Sequence, residues 1–201
     1  MKNNNVISLI IIIALILCLF IIGLLFLEYY SLIENSKIEE KSNKLLMYVQ
    51  SEIEKLVFNI QNNINSYKPF EKYINRLRKK VLEKKINFVK NIPTDKSKTS
   101  YTVNSGETIA LCVNDGNKLI DVNTVIYVTL HELAHVACEY PQCGINNGDT
   151  HTEEFDIVYA FLVLQAIKYG IYKYVDYSHY PQMYCGLLIN ANVLSKFVTI
   201  N

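Results

Sequence analysis

The stretch Leu130-His131-Glu132-Leu133-Ala134-His135 decides the interpretation of the whole chain. On an α-helix, positions i and i+4 lie one above the other, so the two histidines face the same side of one turn. Imidazoles with this spacing can bind one metal ion, and the glutamate between them then points at a water molecule on that ion. The pattern therefore predicts a zinc site in which His131 and His135 are ligands and Glu132 is the general base of a hydrolytic reaction.

The residues before this motif favour a buried helix. Residues 122–129 are mostly apolar, and Asp121 and Asn123 are suitable N-cap residues at the start of the run. A helix of this composition belongs in the centre of a domain. The alternative is a buried helix whose histidines bond only to the backbone, but placing these polar groups in an apolar helix is costly without a metal or a partner.

His151 is the predicted third ligand, because a catalytic zinc site takes three protein ligands and leaves the fourth position for water. Residues 139–148 contain Pro, Gly and Asn, which mark a loop that can reverse the chain. Thr150 and Glu153 then have the spacing of a capping box at the start of a second apolar helix. This spacing predicts that His151 lies in the first helical turn and faces back to the metal.

Other side chains compete for the third position. Glu153 or Glu154 would give a site of two histidines and one glutamate. Cys138 and Cys143 could instead complete a structural site with the two motif histidines, and such a site needs no general base. We favour His151, since the glutamate of the motif has an obvious role only where a water molecule is bound.

An apolar segment at residues 6–27 predicts a membrane anchor. It contains 22 residues without a charge, and as a helix it would span about 33 Å, enough for the hydrocarbon core of a bilayer. Its apolar run is longer than that of a cleavable signal peptide. We therefore expect a single-pass membrane protein anchored at its N-terminus through residues 6–27, with an orientation that the flanking charges leave open.

Charge divides the rest of the sequence. Residues 31–100 hold 15 Lys and Arg against 8 Asp and Glu, whereas residues 101–201 hold 4 against 10. We therefore predict an anchor at 1–30, a basic helical stalk at 31–95 and a zinc metallopeptidase core at 96–201. Basic residues between 68 and 90 could bind anionic lipid or nucleic acid, but apolar residues at helical spacing favour a solvated helix face.

Short strands are predicted before the metal-binding helix. Residues 99–104 and 108–113 have the composition of strands, and Asn114-Asp115-Gly116-Asn117 is a tight-turn signal. An edge strand beside a metal can pair with an extended peptide substrate, and residues 108–113 are the candidate for this role. Upstream, apolar residues spaced by 3 or 4 from Leu46 to Tyr67 predict an amphipathic helix that Pro69 ends.

The segment after the second helix contains candidates for a donor to the oxyanion of the transition state. Tyr177 and Tyr184 are the predicted catalytic tyrosines, with His179 and Tyr180 nearby. The alternative is packing, because the chain has 15 tyrosines. The cysteines outside the anchor could form two disulfides in an oxidising compartment or remain free thiols; they are Cys112, Cys138, Cys143 and Cys185.

Two segments together resemble a known group of enzymes. The string His131-Glu132-Leu133-Ala134-His135, followed by His151-Thr152-Glu153-Glu154-Phe155, looks like the SprT-like and WLM groups of zinc metallopeptidases. In those groups the third ligand precedes a phenylalanine by four positions. Residues 99–107, with Asp176-Tyr177 and Tyr184-Cys185-Gly186, are similar to WLM-like proteins of large DNA viruses that are classed as proteases. The likeness covers about residues 45–195.

The resemblance implies a zincin-like α+β fold with a small antiparallel sheet, a helix that carries the His-Glu-x-x-His motif and a second ligand-bearing helix. It also implies endopeptidase activity on proteins or peptides and one catalytic Zn²⁺ ion. Cellular relatives act on proteins crosslinked to DNA, so nucleic acid is a possible partner. The predicted anchor departs from those relatives and favours a membrane of the virion or of the host.

Overall fold

The computed structural model describes residues 2–83, 85–94, 98–103, 106–138 and 151–197, with the backbone alone for residues 2–12 and 14. The predicted loop at 139–148, Cys143 and Thr150 lie outside the described residues. The chain divides into two compact units, Met1–Glu40 and Lys41–Asn201.

The first unit belongs to the long helix α1 (Lys2–Asn62). Among the described residues, this helix alone is long and apolar enough to cross a membrane, judged by length and composition. Its described apolar side chains from Ile13 to Leu32 are exposed; Leu19, for example, is 69% accessible. One long apolar N-terminal helix that could span a membrane is therefore present, as the sequence predicts.

The second unit begins earlier than residue 96, the predicted start of the core. In the part of α1 after Lys41, one face is fully buried. Its residues recur at helical spacing and include Val49, Ile53, Leu56 and Ile60. They share one hydrophobic core with the helices and strands that follow. The amphipathic helix predicted here is confirmed. Its apolar face is covered by the rest of the second unit, so these residues are part of the hydrophobic core.

Three short helical segments follow α1. α1 ends at Asn62, before the position that the sequence suggests, and Pro69 lies in the 3₁₀ helix Ile64–Phe70 that follows. Helix α2 (Glu71–Leu77) and a π-helical turn (Arg78–Glu83) come next, and they bury Ile74, Leu77 and Val81.

The main sheet has three strands, β1 (Asn87–Lys90), β2 (Tyr101–Val103) and β3 (Thr108–Leu111), in the order β1-β3-β2. β3 runs parallel to β1 and antiparallel to β2, so the sheet is mixed, and the prediction of an antiparallel sheet is wrong. The sequence did not predict β1, because its residues lie at the end of a basic segment whose apolar residues have helical spacing.

The position of β3 also corrects the predicted substrate shelf. β3 pairs on both sides, and its last three residues are buried, as expected of a central strand. Residues 108–113 therefore cannot offer a free edge to a substrate. Among the described residues, β2 pairs on one side only, so the edge next to the metal motif belongs to β2 instead.

Two hairpins complete the strands. β4 (Asn114–Asp115) and β5 (Lys118–Leu119) flank the predicted turn, where Gly116 has a φ of +55°. β6 (Gln182–Tyr184) and β7 (Leu187–Ile189) form a second hairpin that was not predicted. A disulfide between Cys112 and Cys185 joins the turn of this second hairpin to the residue after β3.

Helices α3 (Val122–Ala137) and α4 (Glu153–Lys168) pack on each other; α3 carries two of the predicted ligands, and the third lies just before α4. Asp121 caps α3, as predicted, by accepting a hydrogen bond from the Thr124 amide at 2.9 Å. Thr152 caps α4 by accepting one from the Phe155 amide at 3.3 Å. His151 therefore precedes the helix, and its predicted place in the first turn is wrong because the cap falls at Thr152.

The turn between β2 and β3 presses against α3 at Gly106. Its φ of +95° lies in the region that favours glycine, and a Cβ atom at this position would approach Cγ1 of Val136 to 2.7 Å. Val136 neighbours His135 in the chain, so this close approach fixes the sheet against the helix that carries the predicted ligands.

Candidate active site

Three imidazoles meet at the start of α4. Nε2 of His151 lies 3.1 Å from Nε2 of His131 and 3.3 Å from Nε2 of His135. The ligand atoms of all three residues lie within 4.8 Å of one another, and together they could hold a metal ion. The three side chains that the sequence predicted as ligands therefore converge, although His151 reaches the cluster from the residue before the helix cap.

The spacing of these nitrogens fits a zinc ion. Two nitrogens bound tetrahedrally at about 2.0–2.1 Å from zinc would lie about 3.3 Å apart. Both separations from Nε2 of His151 are close to this value. A set of three imidazoles also matches the ligand chemistry of catalytic zinc sites, which keep one position open.

The ring of Phe155 packs against all three imidazoles. Its ring centroid lies 5.0 Å from that of His131 and 4.4 Å from those of His135 and His151. Phe155 is fully buried, so its ring is a fixed platform that limits the orientations of all three ligands. The phenylalanine four positions after His151 thus has a structural reason to be there.

Burial keeps the ligand nitrogens of α3 unprotonated. Burial, together with the charges of His135 and His151, lowers the pKa of His131 to about 3. Burial and the charge of His151 lower the pKa of His135 to about 4. Both rings are therefore neutral at pH 7, which is the form that binds a metal ion.

Glu132 is buried beside the ligands and has a partner in the sheet. The Thr102 hydroxyl of β2 donates to Oε2 of Glu132 at 2.9 Å. Burial raises the pKa of Glu132 to about 7, and the hydrogen bond from Thr102 opposes this shift. A carboxyl group in this state exchanges a proton readily near neutral pH, as a general base must.

A cavity of about 450 Å³ opens beside the imidazoles. Glu132, His131 and His151 line one end of it, next to Ser100 and Tyr184. The cavity gives a substrate access to the region where the ligands and the carboxylate meet.

The two predicted catalytic tyrosines occupy different places. Tyr184 lines the cavity, and its oxygen lies 2.6 Å from Oγ of Ser100 and accepts the Cys112 amide at 3.1 Å. Tyr177 is not among the lining residues and packs against Tyr127, with ring centroids 4.7 Å apart. Tyr184 therefore faces the candidate site, whereas Tyr177 belongs to an aromatic cluster in the core.

The other described side chains that the sequence offered as a third ligand do not join the three-histidine cluster. Glu154 pairs with Lys72 at 2.8 Å and accepts a hydrogen bond from Tyr73. Glu153 is exposed and does not join the cluster of possible ligands. Cys138 is disulfide-bonded and offers no thiolate.

Part of the basic tract is also engaged within the protein. Besides the Lys72–Glu154 pair, Arg78 pairs with Glu83 at 2.5 Å. Nε of Arg76 donates to the carbonyl oxygen of Val136 on α3 at 2.8 Å. The contacts of Lys72 and Arg76 attach the basic segment to α4 and α3, and the Arg78–Glu83 pair lies within the segment, so several of its positive charges are accounted for without nucleic acid.

Sequence reasoning missed three residues of the site. Thr102 and Ser100 were read only as strand residues, and Phe155 only as part of a motif. Thr102 and Ser100 reach the site through contacts across 30 and 84 positions, which no local pattern reveals. The four-residue spacing from His151 was the one available signal for Phe155.

The fold and the site define a mixed α+β protein with a three-histidine cluster that could bind a metal ion. The chain belongs to the same family as the uncharacterized protein R325 of Acanthamoeba polyphaga mimivirus. The two are 36% identical over 165 residues, which cover 81% of this chain and 78% of R325.

Two further relatives also come from viruses. Uncharacterized protein 042R of Invertebrate iridescent virus 3 is 33% identical over 51% of this chain and 58% of its own length. Uncharacterized protein 136R of Invertebrate iridescent virus 6 is 32% identical over 49% and 52%. The relatives are viral proteins, as the sequence resemblance implied, and their names assign no activity. No protein-family model matches the chain.

The crystal structure of Wss1 from Saccharomyces cerevisiae resembles part of the chain. It has a TM-score of 0.35 and 19% sequence identity, covering 54% of this chain and 84% of Wss1. A Wss1 mutant structure gives a TM-score of 0.36 with 20% identity. Similarity at this level supports no conclusion about the activity of this protein.

Proposed function

We propose that this protein is a membrane-anchored, zinc-dependent metalloendopeptidase with a zincin-like site. The observation that carries the proposal is the convergence of His131, His135 and His151 beside the buried carboxyl group of Glu132 at the mouth of a cavity. A structural zinc site would be closed by four protein ligands. Among the described residues the cluster has three candidate ligands and lies next to a cavity, which supports a catalytic site instead.

The three histidines would hold one Zn²⁺ ion through Nε2. Zinc bound in this way polarises a peptide carbonyl and makes water a strong nucleophile near neutral pH. Phe155 keeps the ligand rings in place, and the neutral state of His131 and His135 supports metal binding without competition from protons.

Glu132 is the proposed general base. It would accept a proton from the attacking water on its carboxylate and deliver the proton to the leaving amine. The hydrogen bond from Thr102 to Oε2 restricts rotation of the carboxylate, so the other oxygen can remain directed at the water. Tight orientation of the base is one of the larger contributions a protein can make to such a reaction.

Tyr184 is the proposed donor to the developing oxyanion. Its oxygen already accepts the Cys112 amide proton, which leaves its own proton for Ser100 or for a substrate oxygen. Tyr177 remains the alternative from the sequence, but Tyr184 lines the cavity and Tyr177 does not, which makes Tyr184 the better candidate. We expect the substrate backbone to pair with the edge of β2 rather than with residues 108–113.

Residues 6–27 are the proposed membrane anchor, in a membrane of the virion or the host. The length and apolar composition of α1 support this. Full-length protein expressed with membranes should resist extraction by alkaline carbonate and be released by detergent. Release by carbonate alone would remove the anchor from the proposal.

The catalytic proposal is tested with Glu132→Gln in the full-length chain in detergent. We expect one zinc per chain in both proteins, and a loss of casein cleavage by about 10²–10⁴-fold in the variant, because the general base is gone. Zinc content is measured by mass spectrometry of the metal and cleavage by release of labelled fragments.

Two results would reject this mechanism. Retained cleavage in Glu132→Gln would exclude Glu132 as the base. A wild type without cleavage, in which His131→Ala unfolds the protein and Glu132→Gln changes nothing, would favour a structural zinc protein, since structural zinc contributes folding free energy.

A further inference from the structure

The cavity extends well beyond the imidazoles. From His131 it continues between α3 and α4 to the segment at residues 187–193, which follows the turn of the second hairpin. One wall comes from the two ligand-bearing helices and the other from β7 and the residues after it. The following side chains form the aromatic and aliphatic part of the wall: Tyr127, Val128, Tyr159, Leu188, Ile189 and Val193.

The polar groups of this part of the cavity wall already form hydrogen bonds within the protein. The Tyr127 hydroxyl donates to the carbonyl oxygen of Ala191 at 3.3 Å and accepts the Val193 amide at 3.4 Å. The Tyr159 hydroxyl donates to the carbonyl oxygen of Tyr127 at 3.2 Å. The amide of Asn192 donates to Tyr174 at 2.6 Å. What these side chains present to the cavity is therefore chiefly ring faces and aliphatic surface.

The charges around the cavity are paired as well. Lys196 lies 2.6 Å from Oδ2 of Asp156 and forms an ion pair with it. Among the described lining residues, Glu132 is the only other charged side chain, and it accepts a hydrogen bond from Thr102. A charged substrate side chain that entered the cavity would lose its hydration without gaining a partner, which is costly.

We propose that this cavity is the specificity pocket of the enzyme and that it binds one large apolar side chain, leucine, methionine or phenylalanine, of the residue next to the scissile bond. The inference rests on the proposed peptidase function, because the pocket is continuous with the ligands and with Glu132. Pockets that combine apolar walls with a few fixed polar groups at one end are typical of selective substrate sites.

A substitution of Leu188 tests the pocket with the least risk to the fold. Its side chain lines the cavity and is 48% exposed, so a polar substitution should leave folding intact. Met183 is its direct partner across the hairpin, is 60% exposed and does not line the cavity. The same substitution at these two positions therefore separates an effect on the pocket from an effect on the hairpin.

The experiment measures binding, so it does not depend on turnover. Full-length Glu132→Gln protein in detergent is loaded with Zn²⁺ and titrated with two acetylated peptides that differ only in one central residue, leucine or aspartate. We expect the leucine peptide to bind at least about tenfold more tightly, as is usual for apolar pockets. Adding Leu188→Asp should reduce this preference severalfold, and adding Met183→Asp should leave it unchanged.

Each outcome bears on a separate claim. Equal affinity for the two peptides, or no binding of the leucine peptide, would overturn the pocket, as would an equal loss of preference in both double variants. A preserved preference in a protein whose wild type cleaves neither casein nor the leucine peptide would leave the pocket in place and reject the peptidase function.

Discussion

The two sides of the candidate site differ in how the chain builds them. The ligand side consists of α3, His151 and α4, and its ligands lie within 20 positions of one another. The strand side consists of β2 and residues 182–193, and it meets the ligand side through contacts across much longer separations. Thr102 reaches Glu132 across 30 positions, and Ala191 reaches Tyr127 across 64. In the mechanism that we propose, the ligand side supplies the reactive groups, and the strand side orients and encloses them.

The largest effect that separates the two sides should come from the ligand His151. We expect His151→Ala to weaken zinc binding by more than about 100-fold, since even partners of ligands commonly contribute 10- to 100-fold. Competition with a chromophoric chelator measures the affinity.

His179→Ala is the matched control for this variant. His179 is exposed, pairs with Asp176 at 2.8 Å and does not belong to the three-histidine cluster. An equal loss of zinc affinity in both variants would mean that His151 is not a ligand.

The contact of the strand side with α3 should be sensitive to Gly106. We expect Gly106→Ala to lower the free energy of unfolding by about 2–4 kcal/mol, because the new Cβ atom combines a close contact with an unfavourable φ. Denaturant unfolding of the full-length protein in detergent measures this change.

Gly116→Ala isolates the cost of the backbone conformation. Gly116 also has a positive φ, but a Cβ atom there would meet nothing within 4 Å. We expect a loss of only about 1 kcal/mol. If the two variants were equally stable, the packing of Gly106 against Val136 would not contribute.

A smaller effect should come from the hydrogen bond that joins the two sides. We expect Thr102→Val to lower kcat about tenfold with little change in KM or zinc content, because Glu132 loses the donor that orients it. Steady-state cleavage of a fluorogenic peptide measures both constants.

Thr102→Ser keeps the hydroxyl and should restore most of kcat. If the serine variant were as slow as the valine variant, shape rather than the hydrogen bond would explain the loss. A fall in zinc content in either variant would assign Thr102 to the integrity of the metal site instead.

The same contrast explains what the sequence could predict. The helical spacing of residues 131 and 135, the N-cap at Asp121 and the turn at Gly116 depend on neighbours within a few positions. The pairing of β1 with β3 joins Asn87 to Thr108, and nothing local in the four residues of β1 indicates a parallel strand. Strand order, and with it the true edge of the sheet, follows from such distant pairings.

The cavity was beyond prediction for the same reason. It is formed where α3, α4 and residues 187–193 face each other, and each of these segments has an ordinary apolar composition on its own. The hairpin that supplies the second wall turns at Cys185 and Gly186, both with positive φ, and is tied to Cys112 by the disulfide. A cysteine in such a turn carries no recognisable sequence signal.

X-ray absorption at the zinc edge of the full-length, zinc-loaded protein tests the central claim most directly. We predict that three imidazole nitrogens and one oxygen surround the zinc at about 2.0–2.1 Å, and that one imidazole is lost in His151→Ala. Sulfur ligands at about 2.3 Å, or a spectrum that His151→Ala leaves unchanged, would contradict it.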